Sequence, residues 1–136
     1  MRILGIDPGT KRCGVAITNS AETMAFPREA IVYDEFFVTR VATLAADECV
    51  ELVVMGRPLS LAGRVTASTT FADELFERLR VGLDVSVVQH DERLTTSAAQ
   101  RSLASAGVSS RDQRGRIDSA AAVVMLQHFT DARRAV

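Results

Sequence analysis

The chain has 136 residues, 47% hydrophobic and 24% charged, with a formal net charge of −1. That length suits one domain, residues 1–136, whose core needs neither disulfides nor a structural metal. No apolar run approaches the roughly 20 residues of a membrane span, no signal peptide is expected, and the charge excludes a globally basic nucleic-acid coat. Cys13 and Cys49 are too few and too far apart for a zinc site, and both are expected as reduced, small core hydrophobes.

Residues 3–7 read as a buried strand and 13–18 as a second. Pro8 and Gly9 between them make a tight turn, which implies an antiparallel hairpin. A third strand over 25–32 carries Pro27, which suits an edge. Asp34 is placed to cap a helix running to Glu48, with Phe37, Val41, Leu44 and Ala45 on one face. The apolar run 52–56 fits a strand covered on both faces. After a loop over 57–64, the spacing predicts a helix over 65–80 with Ala72, Leu75, Phe76 and Leu79 as its core stripe. Residues 84–89 read as another strand. Thr95 or Thr96 caps a helix to Ala106, and Gly107 ends it. A polar loop over 108–115 leads to a last helix over 116–131, apolar nearly all round and hence largely buried. Strands first, then strand and helix alternating, implies an α/β fold with parallel strands in its later half and helices on both faces.

Three acids lie far apart in this order, each where folding alone favours an apolar or neutral residue. Asp7 ends the first strand, and ligands of open α/β sheets bind at such carboxyl ends. Gly5, Gly9 and Gly14 permit close approach of backbone or ligand there. Asp91 and Glu92 are adjacent at the end of another strand. Side chains alternate along a strand, so one faces the site and the other is structural, and spacing does not say which. His90 is a weaker candidate beside them. Asp118 opens the last helix on the stripe of Ala121, Ala122, Met125 and Phe129, where a carboxylate needs a cation or hydrogen-bond donors. Three converging carboxylates make a cage for hard divalent cations, the usual engine of metal-dependent phosphodiester hydrolysis. Each acid also has basic neighbours: Lys11 and Arg12 after Asp7, Arg93 after Glu92, and Arg111, Arg114 and Arg116 before Asp118. An anionic substrate beside a metal needs that local pattern, whatever the total charge.

Four motifs run in order through the chain: Gly5-Ile6-Asp7-Pro8-Gly9-Thr10-Lys11-Arg12-Cys13-Gly14-Val15-Ala16, Val53-Val54-Met55-Gly56-Arg57-Pro58-Leu59, Asp91-Glu92-Arg93-Leu94-Thr95-Thr96 and Arg116-Ile117-Asp118-Ser119-Ala120-Ala121. With these the chain resembles the YqgF/RuvX family of Holliday-junction resolvases, also described as pre-16S rRNA nucleases. The resemblance implies an RNase H-like fold, with five mixed strands in the order 3-2-1-4-5 and helices on both faces. It implies that Asp7, Glu92 and Asp118 are the catalytic, metal-binding acids, so that Glu92 rather than Asp91 is the ligand. It further implies a cytoplasmic role in maturing the 5′ end of 16S rRNA. Two departures are Arg57, where the family commonly has an apolar residue, and Arg116, where Lys is frequent.

The mechanism expected on this basis uses two Mg²⁺ or Mn²⁺ ions held by the three acids and bridged by Asp7. Lys11, Arg12, Arg93 and Arg116 neutralise substrate phosphates. With only 5% aromatic residues, backbone- and shape-led recognition is expected over base stacking. The expected partners are nucleic acid and ribosomal particles, with no membrane, and the protein itself a monomer or homodimer. Three other readings compete: junction-DNA resolution on the same site, which calls for a dimer; an ATP-binding phosphotransferase, which needs a second lobe; and a non-catalytic RNA- or ribosome-binding module.

Overall fold

The computed structural model describes residues 1–94 and 119–135. In chain order they form β1 (Arg2–Asp7), β2 (Arg12–Thr18), β3 (Ala25–Val32), α1 (Phe37–Asp47), β4 (Val50–Arg57), α2 (Ala67–Gly82), β5 (Ser86–Asp91), a short 3₁₀ turn (Glu92–Leu94) and α3 (Ala120–Arg134). The five strands make one sheet in the order β3-β2-β1-β4-β5. Strands β1 and β2 form the antiparallel hairpin, and β2 pairs with β3 antiparallel. Strands β1, β4 and β5 run parallel, so their carboxyl ends share one edge of the sheet.

Alternation along each strand sorts the core into two layers. Leu4, Ile6, Val53, Met55 and Val87 face α1 and α2, meeting Phe37, Val41, Ala72, Leu75 and Leu79. Ile3, Ala16, Leu52 and Val54 face the other way, onto Ala122, Met125 and Leu126 of α3. Gly5 lies in that second layer, where an added Cβ would stand 3.0 Å from Cβ of Leu126. The missing side chain is what lets α3 settle onto β1. Edge strand β3 is largely exposed and blunted by Pro27, as its sequence implies.

Several boundaries move for local reasons. Asp34 does not cap α1; its carboxylate accepts from the Phe36 amide (2.9 Å) and from Arg40 (2.7 Å), folding a turn that delays the helix to Phe37. Thr66 caps α2 instead, in a reciprocal capping box with Thr69. Strand β5 begins at Ser86 and reaches Asp91, two residues beyond the sequence estimate. The last helix buries one face, through Ala122, Met125, Leu126 and Thr130, rather than its whole circumference. Cys13 is buried, whereas Cys49 is exposed at the α1–β4 turn with φ +55°. It is therefore not a core residue. The helix expected over 95–106 and the first residues of the one expected over 116–131 lie outside the described residues. No helix among the described residues is long and apolar enough to cross a membrane.

Gly5→Val should overpack the β1–α3 contact and lower stability by roughly 1–3 kcal/mol. Urea unfolding measures the change, and a variant as stable as wild type would show that α3 does not depend on this close approach.

Candidate active site

Asp7 pairs directly with Gly14 on β2. On its other side β4 advances in step, with Met55 opposite Ile6, so Gly56 comes level with Asp7. Gly56 is in turn paired with His90 of β5. At the carboxyl edge, on the face that α3 covers, the row therefore reads Gly14, Asp7, Gly56, His90. The half-buried Asp7 is flanked on both sides by residues without side chains.

Glu92 uses that open ground. It starts the 3₁₀ turn just past β5, about 10 Å across the sheet from β1 given the spacing of two strand gaps. Its side chain lies over Gly56, where an added Cβ would overlap the Glu92 carboxyl group, and it hydrogen-bonds the Asp7 side chain. Burial, the hydrogen bond to Asp7 and the charges of Asp7 and Asp91 push the Glu92 carboxyl up from 4.5 to about 9. Raised to about 9, the Glu92 carboxyl keeps its proton at neutral pH when no cation is present.

Asp91 and Glu92 have separate roles. Asp91 turns away from Asp7 and holds Arg93, accepting from its amide (2.9 Å) and from its guanidinium at 2.6–3.1 Å. This ion pair holds the Asp91 carboxyl below its ordinary range. Gly63, at φ +81°, leaves the loop between β4 and α2 room for Arg93, since a Cβ there would stand 2.8 Å from Nη1. One strand over, Arg57 makes a two-pronged pair with Asp73 of α2 (3.0 and 3.1 Å), and Gln89 of β5 donates to the same carboxylate at 2.8 Å. Arg57 thus braces the ends of β4 and β5 against α2. Buried Cys13, beside the hairpin turn, has its thiol pushed up to about 11, chiefly by desolvation, which makes it a poor nucleophile.

Of the acids expected to converge, the structure brings Asp7 and Glu92 together. Asp118 lies outside the described residues, as does Arg116. The covalent neighbour of Asp118 is fixed, however. Ser119 is fully buried; its Oγ accepts from the Val15 amide (3.0 Å) and donates to the Arg28 carbonyl (2.6 Å). This hydroxyl ties the start of α3 to β2 and β3, one residue from the Asp7–Gly14 pair. Sequence reasoning missed its role, although the residue stands within the fourth motif. Lys11 and Arg12 are exposed where the hairpin enters β2. His90 does not join the two acids but pairs with His128 of α3.

The donor set suits a hard cation. Asp7 and Glu92 offer carboxylate oxygens only, the ligands of Mg²⁺ and Mn²⁺ rather than zinc-class ions. A cation between them would also offset the burial and charge that now keep Glu92 protonated. Among the described residues no group of three His, Cys, Asp or Glu residues is placed to hold a metal, so any third protein ligand would come from beyond them.

The five-stranded order 3-2-1-4-5 with helices on both faces defines an RNase H-like fold, and solved structures share it. The RuvC protein of T. thermophilus, in complex with a Holliday junction substrate, matches 100% of this chain and 97% of its own, with TM-score 0.61 and 15% identity. The sequence then specifies the family: the chain belongs to the RuvX family, described as Holliday junction resolvase, whose model matches residues 1–132. A relative from Mycobacterium tuberculosis (strain H37Rv) named "Putative pre-16S rRNA nuclease" is 45% identical over 98% of this chain and 81% of its own length. One of the same name from Bacillus thuringiensis (strain Al Hakam) is 39% identical over 98% of this chain and its entire length.

Gly56→Ala should displace Glu92 while leaving every proposed ligand present. Misplacing a catalytic group by about 1 Å costs on the order of a hundredfold in rate. A steady-state comparison with wild type checks this, and an unchanged rate would show that Glu92 need not lie over Gly56. The Glu92 proton has its own signature. Glu92 holds its proton in the folded protein up to about pH 9, whereas the unfolded chain loses it near the ordinary value of 4.5. Between those values the folded state binds more protons, so metal-free stability falls as pH rises, by at most about 1.4 kcal/mol per pH unit. Urea unfolding in chelator at about pH 6 and about pH 8 should show this decline, and Glu92→Gln should flatten it.

Proposed function

We propose that this protein is a divalent-metal-dependent nuclease that hydrolyses phosphodiester bonds in the 16S rRNA precursor, trimming its 5′ end during ribosome biogenesis in the cytoplasm. The observation that carries the reading is the contact between Asp7 and Glu92 over Gly56, at the carboxyl edge of three parallel strands. Membership of the RuvX family and the names of its relatives support the reaction class.

Asp7 and Glu92, joined by Asp118, would hold Mg²⁺ or Mn²⁺, with two ions the arrangement favoured. When bound, the ions supply an activated water and charge neutralisation at the phosphoryl and leaving oxygens. The protein's part is positioning. Asp7 is fixed by ladder pairing within a rigid hairpin. Glu92 is held by the 3₁₀ turn that the Asp91–Arg93 pair closes. The anchored hydroxyl of Ser119 fixes the residue that follows Asp118 in the chain. Lys11, Arg12 and Arg116 would meet the substrate backbone. Arg93, while paired with Asp91, keeps a partly exposed guanidinium that can meet phosphate as well. Nucleic acid is then the principal partner, with ribosomal particles presenting it.

Resolution of DNA junctions on the same site is the second reading, favoured by the description of the family and by the fold shared with a junction-bound RuvC. It requires two copies acting symmetrically. A direct test incubates the protein with Mn²⁺ and either a 5′-extended 16S rRNA precursor or a four-way DNA junction. The expected result is metal-dependent cutting of the RNA, reduced at least about a hundredfold by Asp7→Asn. Junction cutting alone would select the second reading, and failure to cut either substrate would contradict both.

A further inference from the structure

We propose that His90 and His128 form a second cation site, separate in chemistry from the acidic pair, that takes a borderline transition-metal ion of the zinc(II) class and clasps β5 to α3. Nε2 of His90 lies 3.2 Å from Nδ1 of His128, although the residues are 38 positions apart in sequence. Two imidazole nitrogens bound tetrahedrally to one zinc-class ion at about 2.0–2.1 Å stand about 3.3–3.4 Å apart. The pair is thus already spaced for shared ligation.

The surroundings hold the rings in place. Their centroids are 5.2 Å apart, and Phe129 meets the His90 ring edge-on at 5.9 Å. His90 is fixed on the strand by its pairing with Gly56, and His128 stands on the exposed side of an otherwise packed helix. Among the described residues neither ring makes another hydrogen bond. A bound ion would fill its remaining positions with water, since no third His, Cys, Asp or Glu among the described residues is near enough to ligate it. In the metal-free pair one ring donates its N–H to the other. On binding, that ring moves its proton to its outer nitrogen, so both facing nitrogens present lone pairs and no net proton is released. Nitrogen donors select zinc-class ions as carboxylate oxygens select magnesium, which keeps the two sites distinct.

The location gives the site a consequence. Strand β5 leads directly into Glu92, and α3 begins just after its N-cap residue, Ser119. An ion held by both histidines would cross-link the two elements that flank the acidic pair.

The test is a calorimetric titration of the full chain with Zn²⁺ in the presence of excess Mg²⁺, which occupies hard-oxygen sites. Wild type is compared with His128→Gln and His90→Gln, and thermal unfolding of each variant confirms that it folds. The expected result is about one Zn²⁺ bound, weakened at least about tenfold in either variant. Zinc in excess should raise the melting temperature of wild type by several degrees and that of the variants much less. Nitrogen NMR of the imidazoles should place the ion on Nε2 of His90 and Nδ1 of His128. Zn²⁺ binding of equal strength in wild type and His128→Gln, or no Zn²⁺ bound by wild type, would overturn the proposal.

Discussion

The contact between the Asp7 and Glu92 carboxyl groups is unfavourable by itself, and much of the structure around it keeps it in place. Like-charged groups at this range repel, and burial of Glu92 adds to the cost. The raised Glu92 carboxyl is the sign of that conflict. A core built for stability alone would fill this edge with apolar side chains. Here it is lined instead by Gly14 and Gly56, and the space they leave is occupied by an acid reaching across from β5.

That contact depends on register. Strands β1, β4 and β5 end together, so their last residues form a row. A slip of one residue in β4 would replace Gly56 on the active face with Met55 or Arg57 and close the path of Glu92. The Arg57–Asp73–Gln89 network guards this register from the α2 side, joining β4, α2 and β5 in one cluster. Ser119 and Gly5 act from the other side: the serine hydroxyl anchors the start of α3, and the glycine lets the helix lie close to β1.

Much of this arrangement was legible in the sequence. The short apolar strand runs, the Pro8–Gly9 turn and the alternation of strand and helix indicated the element types, and family resemblance supplied the strand order. Asp7 was visible because an acid ending an apolar strand between glycines is out of place for packing. The choice between Asp91 and Glu92 was not visible from spacing, because it depends on which face of β5 meets α3: Val88 and His90 do, so Asp91 turns to the opposite face and Glu92 falls on the side of Asp7. Gly56 looked like the end of a buried strand; its importance appears only when β5 is laid beside β4. Arg57 read as a departure from the family pattern, yet its guanidinium is engaged by Asp73, a partner on another element that no local pattern reveals. The pairing of His90 with His128 was hidden for the same reason. Asp34 drew a helix cap too early because its carboxylate preferred a tight turn and Arg40.

Asp7 and Glu92 are proposed as a cation site in which a divalent ion takes the place of the Glu92 proton. Calorimetric titration of Mn²⁺ at about pH 8, repeated in buffers of different ionisation enthalpy, measures that exchange directly. Release of about one proton is expected as the first ion binds, with both binding and release lost in Glu92→Gln. Mn²⁺ binding without proton release, or binding undiminished in Glu92→Gln, would contradict it.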